Sequence, residues 1–405
     1  MIKNSILIFL GRASNALFVF LLAWVVSRQL GPAIFGIFSF LTTVVISANC
    51  FSSLGLDVWM VREITKSPEK AKEFFSAILG LKVGTSLVTI TIVFFIFQLT
   101  DLPEGILNLL GIISISIIFN SISQTLWHYG DCFREFIYHS FLWAASNIIK
   151  SLTGIALVLI CQELKMLVIG IVFAEALALA LSIYVIQRKY GNFKPRFQLL
   201  SGWNLLKQSA PIGMGVVFSV IYFRLDTVML QLMTDERTVG LYNAAYKLFE
   251  LAVVLPHSLM IVFFPGLVDE FHSEKEKFKV SLKKVLVIYV GISGIFALPI
   301  FYYSFEVVDL IYGNHFLRSG EILKILAIAI VLSFLIFLLS NVLIVAGQEQ
   351  KNARMLVGST LLNLILNLIW IPKHGAIGAA WSTVVCEMAL VIVLCFQSGK
   401  ILKSI

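Results

Sequence analysis

Of 405 residues, 59% are hydrophobic and only 13% carry a charge, for a formal net charge of +8. Soluble domains hold about 25% charged and 45–50% apolar residues, so a water-soluble enzyme is excluded. The positive balance points to nucleic acid only until the charges are located in the chain.

Apolar runs of about 20 residues cross a bilayer core. Twelve are legible, at 5–27, 34–60, 74–98, 105–127, 139–161, 166–187, 209–233, 239–267, 284–304, 321–344, 355–371 and 376–397. The fold class that follows is an all-α polytopic membrane protein. Its first span follows a single Lys3, contains Arg12 and lacks a small-residue cleavage site, and so reads as a retained helix rather than a signal peptide. Turn residues part several spans, at Gly31-Pro32, Asp101 to Pro103 and Pro372 to Gly375. The fourth span carries Ser114, Ser116, Asn120, Ser121, Ser123 and Gln124, and the eleventh carries Asn363 and Asn367 one turn apart. Such residues bond neighbouring helices or line a path for sugar. Pro211, Pro256 and Pro299 are candidate kinks.

Basic residues cluster on one side of this topology. Arg62, Lys66, Lys70 and Lys72 follow the second span, Arg188, Lys189, Lys194, Arg196 and Lys207 the sixth, and Lys275, Lys277, Lys279, Lys283 and Lys284 the eighth. The opposite connections hold only Arg28, Lys165, Arg237, Arg318 and Lys373. The positive-inside rule then puts both termini in the cytoplasm, as an even span number requires.

The longest basic connection, 188–208, divides the chain into an N-terminal six-helix bundle, 1–187, and a C-terminal one, 209–405. Within it Phe197, Leu199, Leu200, Trp203, Leu205 and Leu206 alternate with polar residues, as either an interfacial helix or a solvated linker would. The halves resemble each other: Phe35 to Ser39 against Val239 to Asn243, and VFAEAL (Val172 to Leu177) against VVCEMAL (Val384 to Leu390). Same-orientation repeats are a common transporter plan.

Five basic residues, Arg12, Lys82, Lys150, Arg224 and Lys247, lie inside spans. A charge at a helix centre costs about 2.5–3.5 kcal/mol, so a hydrated cationic cavity or buried ion pairs must accommodate them. Lys150 and Arg224 are deepest. Arg12 and Lys82 lie near enough to their span ends to snorkel, and Lys247 can pair with Glu250 three residues on. Asp226 is two residues from Arg224 and points to another face. Glu175 and Glu387 occupy matching positions in the two halves, either as partners of buried cations or as titrating groups for ion coupling. Asp57 reads as a helix cap or the partner of Arg62.

Enzyme motifs are missing: there is no G-x-x-x-x-G-K-[ST] loop and no H-E-x-x-H. Six His are dispersed. Five Cys (Cys50, Cys132, Cys161, Cys386, Cys395) show neither a disulfide framework nor metal-ligand spacing. The longest outer loop, 305–320, is too short for a catalytic domain.

With these features in place, the chain resembles the polysaccharide repeat-unit flippases of the multidrug/oligosaccharidyl-lipid/polysaccharide exporter superfamily, including O-antigen and capsule flippases. The resemblance rests on LGPAIFGIFSF (Leu30 to Phe40), RLDTVML (Arg224 to Leu230) with VGLYNAAYKL (Val239 to Leu248), and the stretch from Gly347 through Asn363 and Pro372 to GAIGAAWST (Gly375 to Thr383). It implies twelve helices in two bundles, with the first, second, seventh and eighth bordering a central cavity. It further implies movement of an undecaprenyl-diphosphate-linked oligosaccharide between leaflets of the bacterial inner membrane. Arg12, Arg224 and Lys247 fall on the implied lining spans, Lys82 and Lys150 on others. The expected function is therefore translocation without bond breakage, needing no cofactor beyond a proton or sodium gradient as candidate driver. Candidate partners are membrane lipid, a polysaccharide polymerase and a chain-length regulator, with no nucleic acid. Rival readings are a drug/cation antiporter of the same superfamily, which would favour an acidic cavity, a membrane polymerase or ligase, and a structural partner in glycan assembly.

Overall fold

The computed structural model describes the backbone of residues 2–196 and 199–404 and the side chains of residues 17–196 and 202–403. Among the described residues no strand forms. The helices are α1 (Ile2–Ser53), α2 (Leu56–Lys66), α3 (Ala71–Gln98), α4 (Glu104–Asp131), α5 (Phe136–Cys161), α6 (Leu164–Tyr190), α7 (Leu199–Met233), α8 (Glu236–Ser273), α9 (Lys275–Tyr302), α10 (Ser304–Tyr312), α11 (Ser319–Val345) and α12 (Glu349–Ser404). Ten helical stretches among the described residues are long and apolar enough to cross a membrane. The chain is a multi-pass membrane protein.

Two of the expected turns are kinks. The first two expected spans are joined in α1, whose only non-helical residue is Gly31 (φ 77°, ψ 176°). That positive φ favours glycine, and Pro32 restarts the helix with a pre-set φ. The last two are joined in α12 across Gly375 (φ 54°, ψ −133°), just after Pro372. At 52 and 56 residues these helices run roughly 80 Å at 1.5 Å per residue. A hydrocarbon core is about 30 Å thick, so each is long enough for two crossings, and ten stretches accommodate twelve spans.

The chain divides into two compact units, Met1–Arg224 and Leu225–Ile405. In the first, Leu56, Trp59, Ile64, Phe75, Ile78, Tyr129, Leu142 and Ile186 form a core that also takes in Leu205. Leu205 belongs to the basic connection. That segment has no separate helix: α7 begins at Leu199 and runs unbroken into the seventh span. Its Trp203 stays exposed with the Lys207 ammonium 5.6 Å from the ring centre. The side chains of Phe197, Leu199 and Leu200 lie outside the described residues. Farther along α7, Gly213 lies against the break between α1 and α2. A Cβ on Gly213 would come within 2.3 Å of the Leu54 carbonyl carbon, and one on Gly55 within 2.5 Å of the Gly213 nitrogen. Only glycine at both positions lets these backbones touch.

In the second unit α11 has no charged side chain after Lys324 and is apolar all round, the pattern of a buried helix. It packs against α8, α9 and α12. The expected 305–320 loop is folded: α10 and a 3₁₀ turn at Asn314–Phe316 bury Val308, Tyr312 and Phe316. Across both units large apolar side chains such as Phe95, Phe141, Phe173, Ile160 and Phe396 are exposed. In water that surface would drive aggregation; in a bilayer it is the lipid-facing surface.

Candidate functional site

Polar side chains inside apolar helices must find partners, because hydrocarbon supplies none. The structure gathers many of them in separate clusters, and the described cations differ in role.

Lys82 on α3 is fully buried, its Nζ 2.7 Å from Asp57 Oδ2. Asp57 also accepts hydrogen bonds from Ser53 Oγ at 2.8 Å and Thr125 Oγ1 at 2.7 Å. Nearby, Thr85 Oγ1 donates to the Ser52 carbonyl and Ser52 Oγ to Ser121 Oγ. The expectation of a cavity-lining Lys82 is corrected: the side chain turns inward onto a carboxylate, and the pair joins α3 to α2, with Ser53 of α1 and Thr125 of α4 bonded to the same Asp57. The expected Asp57–Arg62 pair is corrected too, since Arg62 Nε meets Glu63 at 2.8 Å.

Lys150 does line a cavity. Its Nζ lies 2.6 Å from Glu175 Oε1, and Asn120 Nδ2 reaches the same oxygen at 3.4 Å. Gln124 Nε2 in turn donates to Asn120 Oδ1 at 2.7 Å. These four residues, with Asn49 and His128, edge a partly open cavity of about 320 Å³ in the first unit. Lys150 is 23% exposed, whereas Glu175 Oε2 is buried without a hydrogen-bond partner. The site thus holds a reachable ammonium and a carboxylate with capacity to spare. Any anion entering the cavity would compete with Glu175 for Lys150. Both sequence readings of Lys150, cavity and ion pair, describe one arrangement.

In the second unit the Asp226 carboxylate on α7 is buried. Tyr242 Oη donates to it at 2.5 Å, Thr383 Oγ1 at 2.8 Å and Asn367 Nδ2 at 2.6 Å. Asn367 Nδ2 lies 3.0 Å from Asn363 Oδ1, and its own Oδ1 is buried without a partner. Both halves of α12, before and after the Gly375 kink, therefore converge on Asp226. Glu387 is likewise buried and accepts from Ser333 Oγ at 2.7 Å. Hydroxyls and amides surround these two acids, in contrast to the cation beside Glu175. Lys247 pairs with Glu250 at 2.7 Å, with both side chains partly exposed, as the three-residue spacing predicts. Arg224 is partly buried and engaged by neighbouring groups. The side chain of Arg12 lies outside the described residues.

Sequence reasoning missed Tyr242 and Thr383, although both lie within the segments quoted for the resemblance. It also missed Asp57 as the partner of Lys82. A lysine without a carboxylate in its own span was the available signal.

A probable low-salt glycan biosynthesis flippase, Agl15, of Haloferax volcanii is 23% identical over 94% of this chain and 80% of its own. A putative O-antigen transporter of Shigella flexneri is 24% identical over 96% of both chains. Among solved structures, the lipid II flippase MurJ in an inward closed conformation superposes with a TM-score of 0.79 at 18% identity, covering 98% of this chain and 87% of that one. The sequence pattern of the polysaccharide biosynthesis protein family matches residues 1–271, so the chain belongs to that family.

Proposed function

We propose that this chain translocates undecaprenyl-diphosphate-linked oligosaccharide repeat units from the inner to the outer leaflet of a bacterial cytoplasmic membrane, by alternating access and without breaking a bond. The observation that carries the reading is the polar cavity edged by Lys150 and Glu175 inside a membrane-spanning bundle. An incoming diphosphate supplies more acceptor oxygens than Glu175 and replaces it on the lysine by charge-assisted hydrogen bonds. The amides of Asn49, Asn120 and Gln124 offer sugar hydroxyls both donors and acceptors. The glycan flippase and O-antigen transporter among the relatives support the same class of cargo.

Buried carboxylates supply the coupling half of the proposal. Asp226 gathers oxygen-bearing side chains from α8 and both halves of α12. Proton or sodium occupancy at Asp226, with Glu387 and Glu175 as further candidates, biases the Gly375 kink and hence the α12 conformation. The distribution of basic residues supports cytoplasmic termini. A polymerase and a chain-length regulator receive the product on the outer side.

The test follows labelled lipid-linked oligosaccharide in cells depleted of the protein, probed by a glycan-cleaving enzyme supplied only outside. Unpolymerised units should stay inaccessible on depletion and become accessible when the wild-type chain is restored. Accessible but unpolymerised units would transfer the assignment to a polymerase or ligase. An acidic-cavity antiporter is disfavoured by the reachable ammonium of Lys150.

A further inference from the structure

The corner between α4 and α5 carries a constellation that the translocation reading does not use. His128 and Asp131 lie three residues apart on the last turns of α4, hence on one face, and His139 lies in the first turn of α5. One ligand atom from each falls within 4.8 Å of the other two. The Gln124 carbonyl, 2.9 Å from His128 Nδ1, accepts its hydrogen. That bond makes Nε2 the basic nitrogen and fixes the ring, the way an outer carbonyl orients a metal-binding histidine. His139 Nδ1 lies 2.6 Å from Asp131 Oδ2, and the two imidazole centroids are 4.5 Å apart. The other Asp131 oxygen, Oδ1, is buried without any hydrogen-bond partner. A buried carboxylate oxygen with nothing to bind is costly, and it lies beside two imidazoles.

We propose that His128, Asp131 and His139 form a binding site for a divalent first-row transition metal, with Zn²⁺ as the best-matched ion. Two imidazoles and one carboxylate are the donor set that zinc accepts, at about 2.0–2.1 Å per bond with a fourth position open. In the metal-bound form the Asp131–His139 hydrogen bond gives way to shared ligation, and Asp131 Oδ1 gains its missing partner. The metal fastens α5 to α4 across the turn from Cys132 to Glu135. Lys150 lies eleven residues farther along α5, and Asn120 and Gln124 lie just before His128 on α4. The clamp therefore fixes the frame of the Lys150 cavity, which His128 itself lines.

The test uses the purified full-length protein, stripped with chelator and carrying an affinity tag free of histidine. Zn²⁺ is titrated in competition with a chromophoric chelator, and Cu²⁺ is substituted for pulsed EPR. The proposal predicts one tight equivalent of Zn²⁺ per chain, a rise in thermal midpoint with added Zn²⁺, and coupling to two imidazole nitrogens. His139→Gln and Asp131→Asn should each weaken Zn²⁺ by at least tenfold, whereas His374→Gln, outside the cluster, should change nothing. Equal affinity in wild type and His139→Gln, or no tight equivalent in wild type, overturns it. The EPR readout needs no variant: fewer than two coupled imidazoles also overturns it.

Discussion

Two lysines, on α3 and α5, show how differently a buried charge is handled. Lys82 is sealed against Asp57, so removing one partner strands the other in a medium that cannot solvate it, at about 3–5 kcal/mol. Lys82→Met should therefore lower the thermal midpoint sharply in detergent. Lys82→Met combined with Asp57→Asn should recover most of the loss, and additive losses would show that the pair is not coupled. Lys150 instead reaches a cavity, and its removal should act on transport. Losing one charge-assisted contact of about 1.5–3 kcal/mol corresponds to a loss of about 10- to 100-fold. Pairing Lys150→Ala with Glu175→Gln avoids leaving the glutamate charged and alone. Mid-span position marked Lys150 as needing company, whereas Lys82, nearer its span end, could equally have snorkelled, and composition could not distinguish sealing from cavity exposure. The distinction depends on which face of α3 or α5 meets α4, and that is a packing outcome.

Outside the spans, Glu135 in the α4–α5 turn accepts from Tyr190 Oη at 2.5 Å and from Lys189 Nζ at 3.2 Å. The Tyr190 hydrogen bond, followed by that of Lys189, holds its carboxyl below the ordinary value. A depressed carboxyl contributes stability above the unfolded-state pKa and loses it as pH falls through the folded one. Glu135→Gln should thus lower the thermal midpoint at pH 7, and the gap from wild type should close as pH falls below about 4. A gap that persists at acid pH would assign the effect to packing.

At the scale of elements, glycine carries the decisive information. Gly213 and Gly215 are two residues apart on α7, yet a Cβ meets backbone at 2.3 Å on the first and nothing within 4 Å on the second. Gly213→Ala should fold poorly or melt far below wild type. Gly215→Ala should be neutral or stabilising by up to about 1 kcal/mol, since alanine is the better helix former. Equal melting of the two variants would refute the close contact of α7 with the α1–α2 break. The helices themselves were legible from apolar run length. Their joins were less so: Gly31-Pro32 and Pro372 to Gly375 read as turns, and fold as kinks inside α1 and α12. Local chemistry signals a change of direction there, but whether hydrogen bonding stops or bends is settled by neighbouring helices. Likewise the 188–208 connection showed its apolar alternation plainly, while its continuity with α7 depended on Leu205 finding the core of the first unit.

For the whole molecule, the match around Glu175 and Glu387 has a counterpart in hydrogen bonding. Glu175 on α6 reaches Asn120 on α4, and Glu387 on α12 reaches Ser333 on α11. In the expected span order each is a sixth helix bonded to a fourth. The parallel stops at the cation: Lys150 stands beside Glu175, whereas the second unit places Asp226 among amides and hydroxyls. One unit thus offers an anion-attracting wall and the other an acidic cluster suited to a cation or proton.

The most direct measurement reconstitutes the purified chain in proteoliposomes with a fluorescent undecaprenyl-diphosphate oligosaccharide and follows its loss of accessibility to a membrane-impermeant quencher. Wild type should move the lipid well above protein-free vesicles, and Lys150→Ala/Glu175→Gln should fall by about 10- to 100-fold while retaining its thermal midpoint. Movement no faster than in empty vesicles would contradict the translocation reading. Full activity in the double variant would leave translocation standing and remove Lys150 from the cargo's path.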